Sequence, residues 1–168
     1  MQVTLTSDRL TLQLLQPTDA EFIFELVNTP DWIRFIGDRN VSSKEKAVTF
    51  IHSVINNVNV DYWVVRLKDE NVAVGIVSLV KRDYLDFHDV GFAFLPQHTK
   101  KGFAYEASLI LLHYLAQEKL SPTILATTIK DNASSIALLE KLGFRFDRQI
   151  ENGGEELFVY AASMNDFS

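Results

Sequence analysis

Between Tyr62 and Leu95 the chain carries three apolar stretches in a row: Tyr62 to Leu67, Val72 to Val80 and Asp89 to Leu95. The polar Lys68-Asp69-Glu70-Asn71 is the turn after the first. Strands that follow one another through short connections pair antiparallel, so this region commits the chain to a sheet with no helix in between. What comes next has a different rhythm. Pro96 stops the third strand, a basic loop containing Gly102 follows, and Ala104 to Ala116 reads as a helix apolar on most faces and therefore buried. Thr123 to Ile129 is β-branched and reads as a strand. Asn132 caps a helix whose Ile136, Leu139 and Leu142 recur at helical spacing and which ends at Gly143. Phe144 to Ile150 and Glu155 to Ala162 then flank Asn152-Gly153-Gly154, a hairpin signal.

Ahead of this core, Leu10, Leu12 and Leu14 alternate with Thr11 and Gln13 as in a half-buried strand, which Pro17 ends. Two capping boxes follow, Thr18 with Glu21 and Ser42 with Glu45. Each opens a helix, the first carrying Phe22, Ile23, Leu26 and Val27, the second Ala47, Phe50, Ile51, Val54 and Ile55. The segment from Pro30 to Ile36 reads as an aromatic-rich connection, either lining a pocket or simply buried. The order β-α-α-β-β-β-α-β-α-β-β predicts an α/β fold. It implies a mixed, mostly antiparallel sheet of about seven strands with helices on both faces. A length of 168 residues suits one domain spanning 1–168.

Composition narrows the chemistry. There is no cysteine, which removes disulfides, thiolate nucleophiles and cysteine-held zinc. His52, His88, His98 and His113 have no ligand-like spacing, so no metal is expected. A net charge of -6 argues against nucleic acid as a partner and mildly favours cationic substrates such as amines. No apolar run approaches the ~18 residues of a membrane span and no leader is evident, so neither a membrane nor an export route is expected and the chain reads as cytoplasmic.

The loop Phe94-Leu95-Pro96-Gln97-His98-Thr99-Lys100-Lys101-Gly102-Phe103-Ala104 delivers the chain to a helix N-terminus, where unpaired N–H groups suit a phosphate. Gly102 would let the backbone approach it, and Lys100 or Lys101 could add charge. The loop lacks the second glycine and the Gly-Lys-Ser/Thr ending of a Walker loop. Downstream stands Asn132-Ala133-Ser134-Ser135-Ile136-Ala137-Leu138-Leu139-Glu140-Lys141-Leu142-Gly143-Phe144.

Together the two segments resemble the Gcn5-related N-acetyltransferases: the first is similar to the family's acetyl-CoA motif, the second to its Asn-x-x-Ser…Glu-Lys-x-Gly-Phe signature. Asp8-Arg9-Leu10-Thr11-Leu12-Gln13 and Gly102-Phe103-Ala104-Tyr105-Glu106-Ala107 resemble the branch that acetylates ribosomal-protein N-termini. Four positions depart from the pattern: Gln13 replaces the usual arginine, Thr99 stands where arginine, glutamine or tryptophan is common, Lys100 where a glycine is common, and Leu139 where many relatives carry a tyrosine that protonates the leaving thiolate.

The resemblance implies acetyl-CoA as co-substrate and an amine acceptor, possibly a protein N-terminus, in a monomer or homodimer. The alternative is an acyl-CoA-binding module without turnover. Acetyl-CoA would lie in a splay between the strand ending at Leu95 and the one beginning near Thr123, its pantetheine paired with Phe94 and Leu95. Lys100, Lys101, Gly102, Phe103 and Ala104 would hold the pyrophosphate, with Asn132 and Ser135 near by. Asp89 is the first candidate for general base and Glu106 the second, although Glu106 reads better as a structural hydrogen-bond partner. Ser135 and Tyr160 are candidate proton donors, against readings as an ordinary helix serine and a core aromatic. Trp32, Phe35 and Trp63 would line the acceptor pocket or belong to the core.

Overall fold

A computed structural model describes residues 3–168. Strands β1 (Leu5–Thr6) and β2 (Leu10–Leu14) lead through a short 3-10 turn to helices α1 (Ala20–Val27), α2 (Pro30–Phe35) and α3 (Lys44–Ile55). Three strands follow, β3 (Val60–Leu67), β4 (Ala73–Val80) and β5 (Asp89–Phe94). The chain then runs α4 (Phe103–Gln117), β6 (Thr123–Thr128), α5 (Ala133–Leu142), β7 (Arg145–Asn152) and β8 (Glu155–Ser163). The strands form one eight-stranded sheet in the order β1-β2-β3-β4-β5-β6-β8-β7. Every neighbouring pair is antiparallel except β5 and β6. The mixed α/β sheet expected from the sequence is present with one strand more than expected, because β1 is only two residues long and too short to show an alternation.

Strand alternation sends side chains to two separate cores. On one face Leu10, Leu12, Val65, Val90, Ile124 and Tyr160 pack against Phe103, Leu111 and Leu112 of α4 and Leu139 of α5. On the other, Val64, Ile76 and Leu95 pack against Ile23 and Leu26 of α1, Trp32 of α2 and Ile51 of α3. Leu111, Leu112 and Leu139 are each 1% exposed, and burying such a side chain is worth roughly 1.5–3 kcal/mol. Helix α4 therefore needs apolar residues on most of its surface, as its sequence suggested. A third, smaller cluster of Leu85, Leu125 and Val159 covers the far half of the sheet beneath the β4–β5 connection.

The structure differs from the sequence reading in the first third of the chain. The aromatic segment from Pro30 is helix α2, capped by the Thr29 hydroxyl, which accepts from the Trp32 N–H, with Pro30 in the first turn where its missing N–H costs nothing. The Thr18–Glu21 box is replaced by Asp19, which accepts from the Gln16 N–H and pairs with Arg66. The cap of α3 is Ser43 rather than Ser42, its hydroxyl accepting from the Lys46 N–H. Trp32 and Trp63 are both core residues, at 2% and 5% exposure.

Candidate active site

The site is built where the sheet stops being continuous. β5 pairs with β4 along its whole length, from Val80↔Asp89 to Gly75↔Phe94. β6 and β8 also pair throughout, from Thr123↔Ser163 to Thr128↔Phe158. Between them, β5 and β6 share a single bridge, Asp89↔Leu125, with the Leu125 N–H donating to the His88 carbonyl at 2.9 Å. Beyond that bridge the two strands diverge, and the main-chain groups of β5 facing β6 are left without a strand partner. The register identifies them. The Leu95 N–H donates to the Val74 carbonyl, so odd-numbered β5 residues turn their N–H and C=O groups toward β4 and the even-numbered Phe92 and Phe94 turn theirs into the opening. Leu95 itself is fully engaged, since its carbonyl also accepts from the His98 N–H at 2.9 Å.

The open end of this slot meets the N-terminus of α4. Its N-cap is Gly102, at φ +81°, and no side chain caps the helix. The first N–H groups of a helix have no intrahelical acceptor, so the main chain of Gly102, Phe103 and Ala104 carries donors with a partial positive charge. Lys100 and Lys101 stand beside them, both exposed. Lys100 has φ +62°, in the left-handed region that favours glycine, so the backbone keeps a glycine-like shape with a lysine in place.

Arg9 holds this loop from below. Its Nη1 donates to the Lys101 carbonyl at 3.0 Å, its Nε pairs with Glu106 at 2.7 Å, and its guanidinium lies 4.6 Å from the Phe103 ring centroid. Glu106 also accepts from the Ser7 hydroxyl and the Arg9 N–H. Burial alone would raise the Glu106 pKa, but these hydrogen bonds and the arginine outweigh it and hold the carboxyl below its usual range. A Cβ at Gly102 would stand 3.3 Å from Arg9 Nη2. Glycine is thus favoured there by the left-handed backbone before any ligand is considered.

Asn132 caps α5, its side-chain oxygen accepting from the Ser135 N–H at 3.3 Å. Ser135 is half-buried one turn into that helix. Tyr160 is 5% exposed and its ring meets Phe146 edge-to-face at 5.8 Å. Burial, with Glu140 near by, raises its pKa and keeps the phenol neutral. Leu139 is sealed into the same core.

Asp89 lies at the closed end of the slot, 3% exposed. One carboxylate oxygen accepts from the Thr127 N–H at 3.0 Å; the other accepts from Arg82 Nε at 2.6 Å and from the Thr127 hydroxyl at 3.2 Å. Burial raises its pKa, with Arg82 and the Thr127 bonds acting in the opposite direction. Arg82, in the β4–β5 connection, gave no signal in the sequence because its role depends on register alone.

The same holds for a row across three strands on the α1–α3 face, where Tyr62 is opposite Ser78 and Ser78 opposite Gly91. A Cβ at Gly91 would come within 2.8 Å of the Ser78 hydroxyl, which therefore lies over the glycine. Burial raises the Tyr62 pKa, against the pull of Arg39 and Arg82. Phe35 is half-buried on α2. Among the described residues no group of three or more His, Asp or Glu side chains is placed to hold a metal, and no helix is long and apolar enough to cross a membrane.

A sheet splayed at one parallel junction, with an uncapped helix N-terminus at the mouth of the splay, is the architecture of an acyl-CoA-dependent transferase. Residues 9–145 match the acetyltransferase (GNAT) domain family, and the chain belongs to it. The Bacillus subtilis protein described as uncharacterized N-acetyltransferase YnaD is 26% identical over 155 residues, covering 90% of each chain. A GNAT-family acetyltransferase from Bacillus anthracis superimposes with a TM-score of 0.81 at 25% identity, covering 97% of this chain and 99% of that one. The ribosomal L7/L12 alpha-N-protein acetyltransferase RimL shares the fold, with a TM-score of 0.83 at 15% identity over 97% of this chain and 95% of its own. The structure of RimL with coenzyme A superimposes at 0.79, covering 96% of this chain and 98% of that one. The chain is thus an acetyl-CoA-dependent acetyltransferase by family.

Proposed function

We propose that the chain transfers the acetyl group of acetyl-CoA to a primary amine, either a protein N-terminus or a small-molecule amine. The observation that carries this reading is the slot that opens beyond Asp89↔Leu125 and ends at the uncapped N-terminus of α4. In this reading the pyrophosphate caps α4 through the N–H groups of Gly102, Phe103 and Ala104, with Lys100 and Lys101 adding charge. The pantetheine takes the place of the missing strand and pairs with Phe94 and, by register, with Phe92 rather than Leu95. Asn132 and Ser135 flank it from α5. A β5 main-chain N–H polarises the thioester carbonyl.

The acceptor amine enters from the α1–α3 face, over Tyr62, Ser78 and Gly91. It attacks in its neutral form: a C–N bond forms, the C–S bond breaks, the amine proton passes to solvent and the departing thiolate takes a proton from Ser135, Tyr160 or water. Orientation of two bound substrates supplies a large share of the rate, since effective molarities reach ~10⁵ M or more. RimL, named for acetylating the α-amine of a ribosomal protein, makes protein N-termini the first acceptors to try. The test is thiol release from acetyl-CoA across N-terminal peptides, polyamines, amino acids and amino sugars. Release with one class identifies the acceptor; acetyl-CoA binding by calorimetry with no release on any amine overturns transfer in favour of a binding module.

A further inference from the structure

Asp89 is a buried carboxylate with three donors already committed to it, at the one point where two halves of the sheet meet. In a parallel ladder successive bonds from one strand go to carbonyls of the other, two residues apart. Leu125 obeys this, donating to the His88 carbonyl. The next β6 donor on that edge is the Thr127 N–H, and a continued ladder would send it to a β5 carbonyl. It goes instead to the Asp89 side chain at 3.0 Å, and the Thr127 hydroxyl reaches the same carboxylate at 3.2 Å. A side chain thus substitutes for main chain in the ladder and holds β6 one side-chain length away from β5. Arg82 Nε, at 2.6 Å on the other side, fixes the carboxylate in that position.

We propose that Asp89 is a positioning residue: its carboxylate terminates the β5–β6 ladder at Thr127 and thereby sets where the acyl-CoA slot begins, rather than accepting the proton of the amine. The proposal rests on the transferase reading only for what fills the slot. Three of the carboxylate's roughly four acceptor positions are already occupied and the group is 3% exposed, so an incoming amine has little access to it. A group that defines the closed end of the slot instead sets how deeply the pantetheine enters, and so where the thioester stops relative to the β5 main chain.

The experiment combines amide hydrogen exchange with binding and kinetics. In the ligand-free protein the Thr127 amide should exchange as slowly as its strand neighbours; fast exchange there overturns the wedge whatever the protein binds. Asp89→Ala should expose that amide and weaken acetyl-CoA binding by calorimetry on the order of 10- to 100-fold. Asp89→Asn keeps an oxygen for the Thr127 N–H and should bind acetyl-CoA within about threefold of wild type. It should lose under tenfold in kcat, equally at every pH. A loss near 100-fold in kcat with the acidic limb of the pH–rate profile moved and acetyl-CoA affinity intact would make Asp89 the base and overturn the proposal. If the alanine variant does not fold, the asparagine variant and the wild-type exchange measurement still decide. A wild type that binds no acetyl-CoA but protects Thr127 refutes the transferase reading and leaves the wedge standing.

Discussion

Helices α4 and α5 follow the two strands that border the slot, β5 and β6, yet their N-termini are finished in opposite ways. α5 supplies its own cap, Asn132, whose side chain takes up the Ser135 N–H. α4 begins at Gly102, which has no side chain to offer, and is preceded by Lys100 and Lys101. α3 resembles α5, with Ser43 on the Lys46 N–H. A helix of fifteen residues packed on most of its surface can do without a cap worth about 1 kcal/mol, because its burial holds it in place. In the proposed binding mode the ligand's pyrophosphate caps the α4 end, so stability and affinity should respond oppositely at the two helix ends.

A negative charge at the α4 N-terminus should have the largest effect. Ala104→Glu should stabilise the ligand-free protein slightly, by about 0.3–1 kcal/mol, because an acidic residue suits the first helical turn. In the proposed binding mode the same charge would face the pyrophosphate, and repulsion of a few kcal/mol should cost acetyl-CoA affinity on the order of 100-fold. Thermal melting and calorimetry on one preparation check both signs; affinity that does not fall removes the pyrophosphate from this helix end.

At the capped N-terminus of α5 the expectation reverses. Asn132→Ala should lose about 1 kcal/mol of stability and change acetyl-CoA affinity less than threefold. A tenfold loss of affinity would show that Asn132 serves the ligand as well as its helix.

Glu106 ties the α4 end to Ser7 and Arg9 in the β1–β2 turn, and its depressed pKa gives a pH dependence. The folded state binds the Glu106 proton less tightly than the unfolded state, so the stabilisation is present above the unfolded pKa and lost as pH falls through the lower folded pKa. In denaturant melts, Glu106→Gln should be less stable than wild type by up to about 1 kcal/mol at neutral pH, with the gap closing below about pH 4. A gap that stays constant down to acid would remove the Ser7 and Arg9 bonds as its source.

The smallest effect is expected at Lys100. Lys100→Gly relieves a left-handed residue but adds freedom to the unfolded chain, two terms of about 1 kcal/mol that nearly cancel. The melting temperature should move by no more than ~4 °C while acetyl-CoA affinity falls a few-fold through lost charge.

Most of the fold could be read in advance because its signals are local: alternation in β2, the consecutive apolar stretches of β3 to β5, the β-branched run of β6, Asn132 and Gly143 at the ends of α5. The structure departs from the sequence expectation in two ways. Thr29-Pro30, a cap followed by a first-turn proline, carried the signal of α2 and was outweighed by the aromatics after it. Ser42 and Ser43 are equally good caps on paper, and only the path of the chain chooses between them. In the site, the Gly102 loop and Glu106 as a structural partner could be placed from sequence. Arg82, Thr127, Ser78 and Tyr62 could not, since each depends on which residue sits opposite which. Asp89 was noticed for its type and position, but only the register shows what its oxygens hold.

The single bridge between β5 and β6 has a mechanical consequence. The two leaves of sheet share one main-chain bridge, with the Thr127–Asp89 bonds beside it, so any rotation there becomes a larger displacement at the mouth, near Lys100 and Asn132. A molecule that grips both leaves acts as a brace. At a hundredfold excess over its dissociation constant it would add roughly 2.7 kcal/mol to the folded state. Bracing of this kind stiffens the mouth more than the bridge, so slowed amide exchange on filling the slot should grade outward along β6 from Thr127 toward the start of α5.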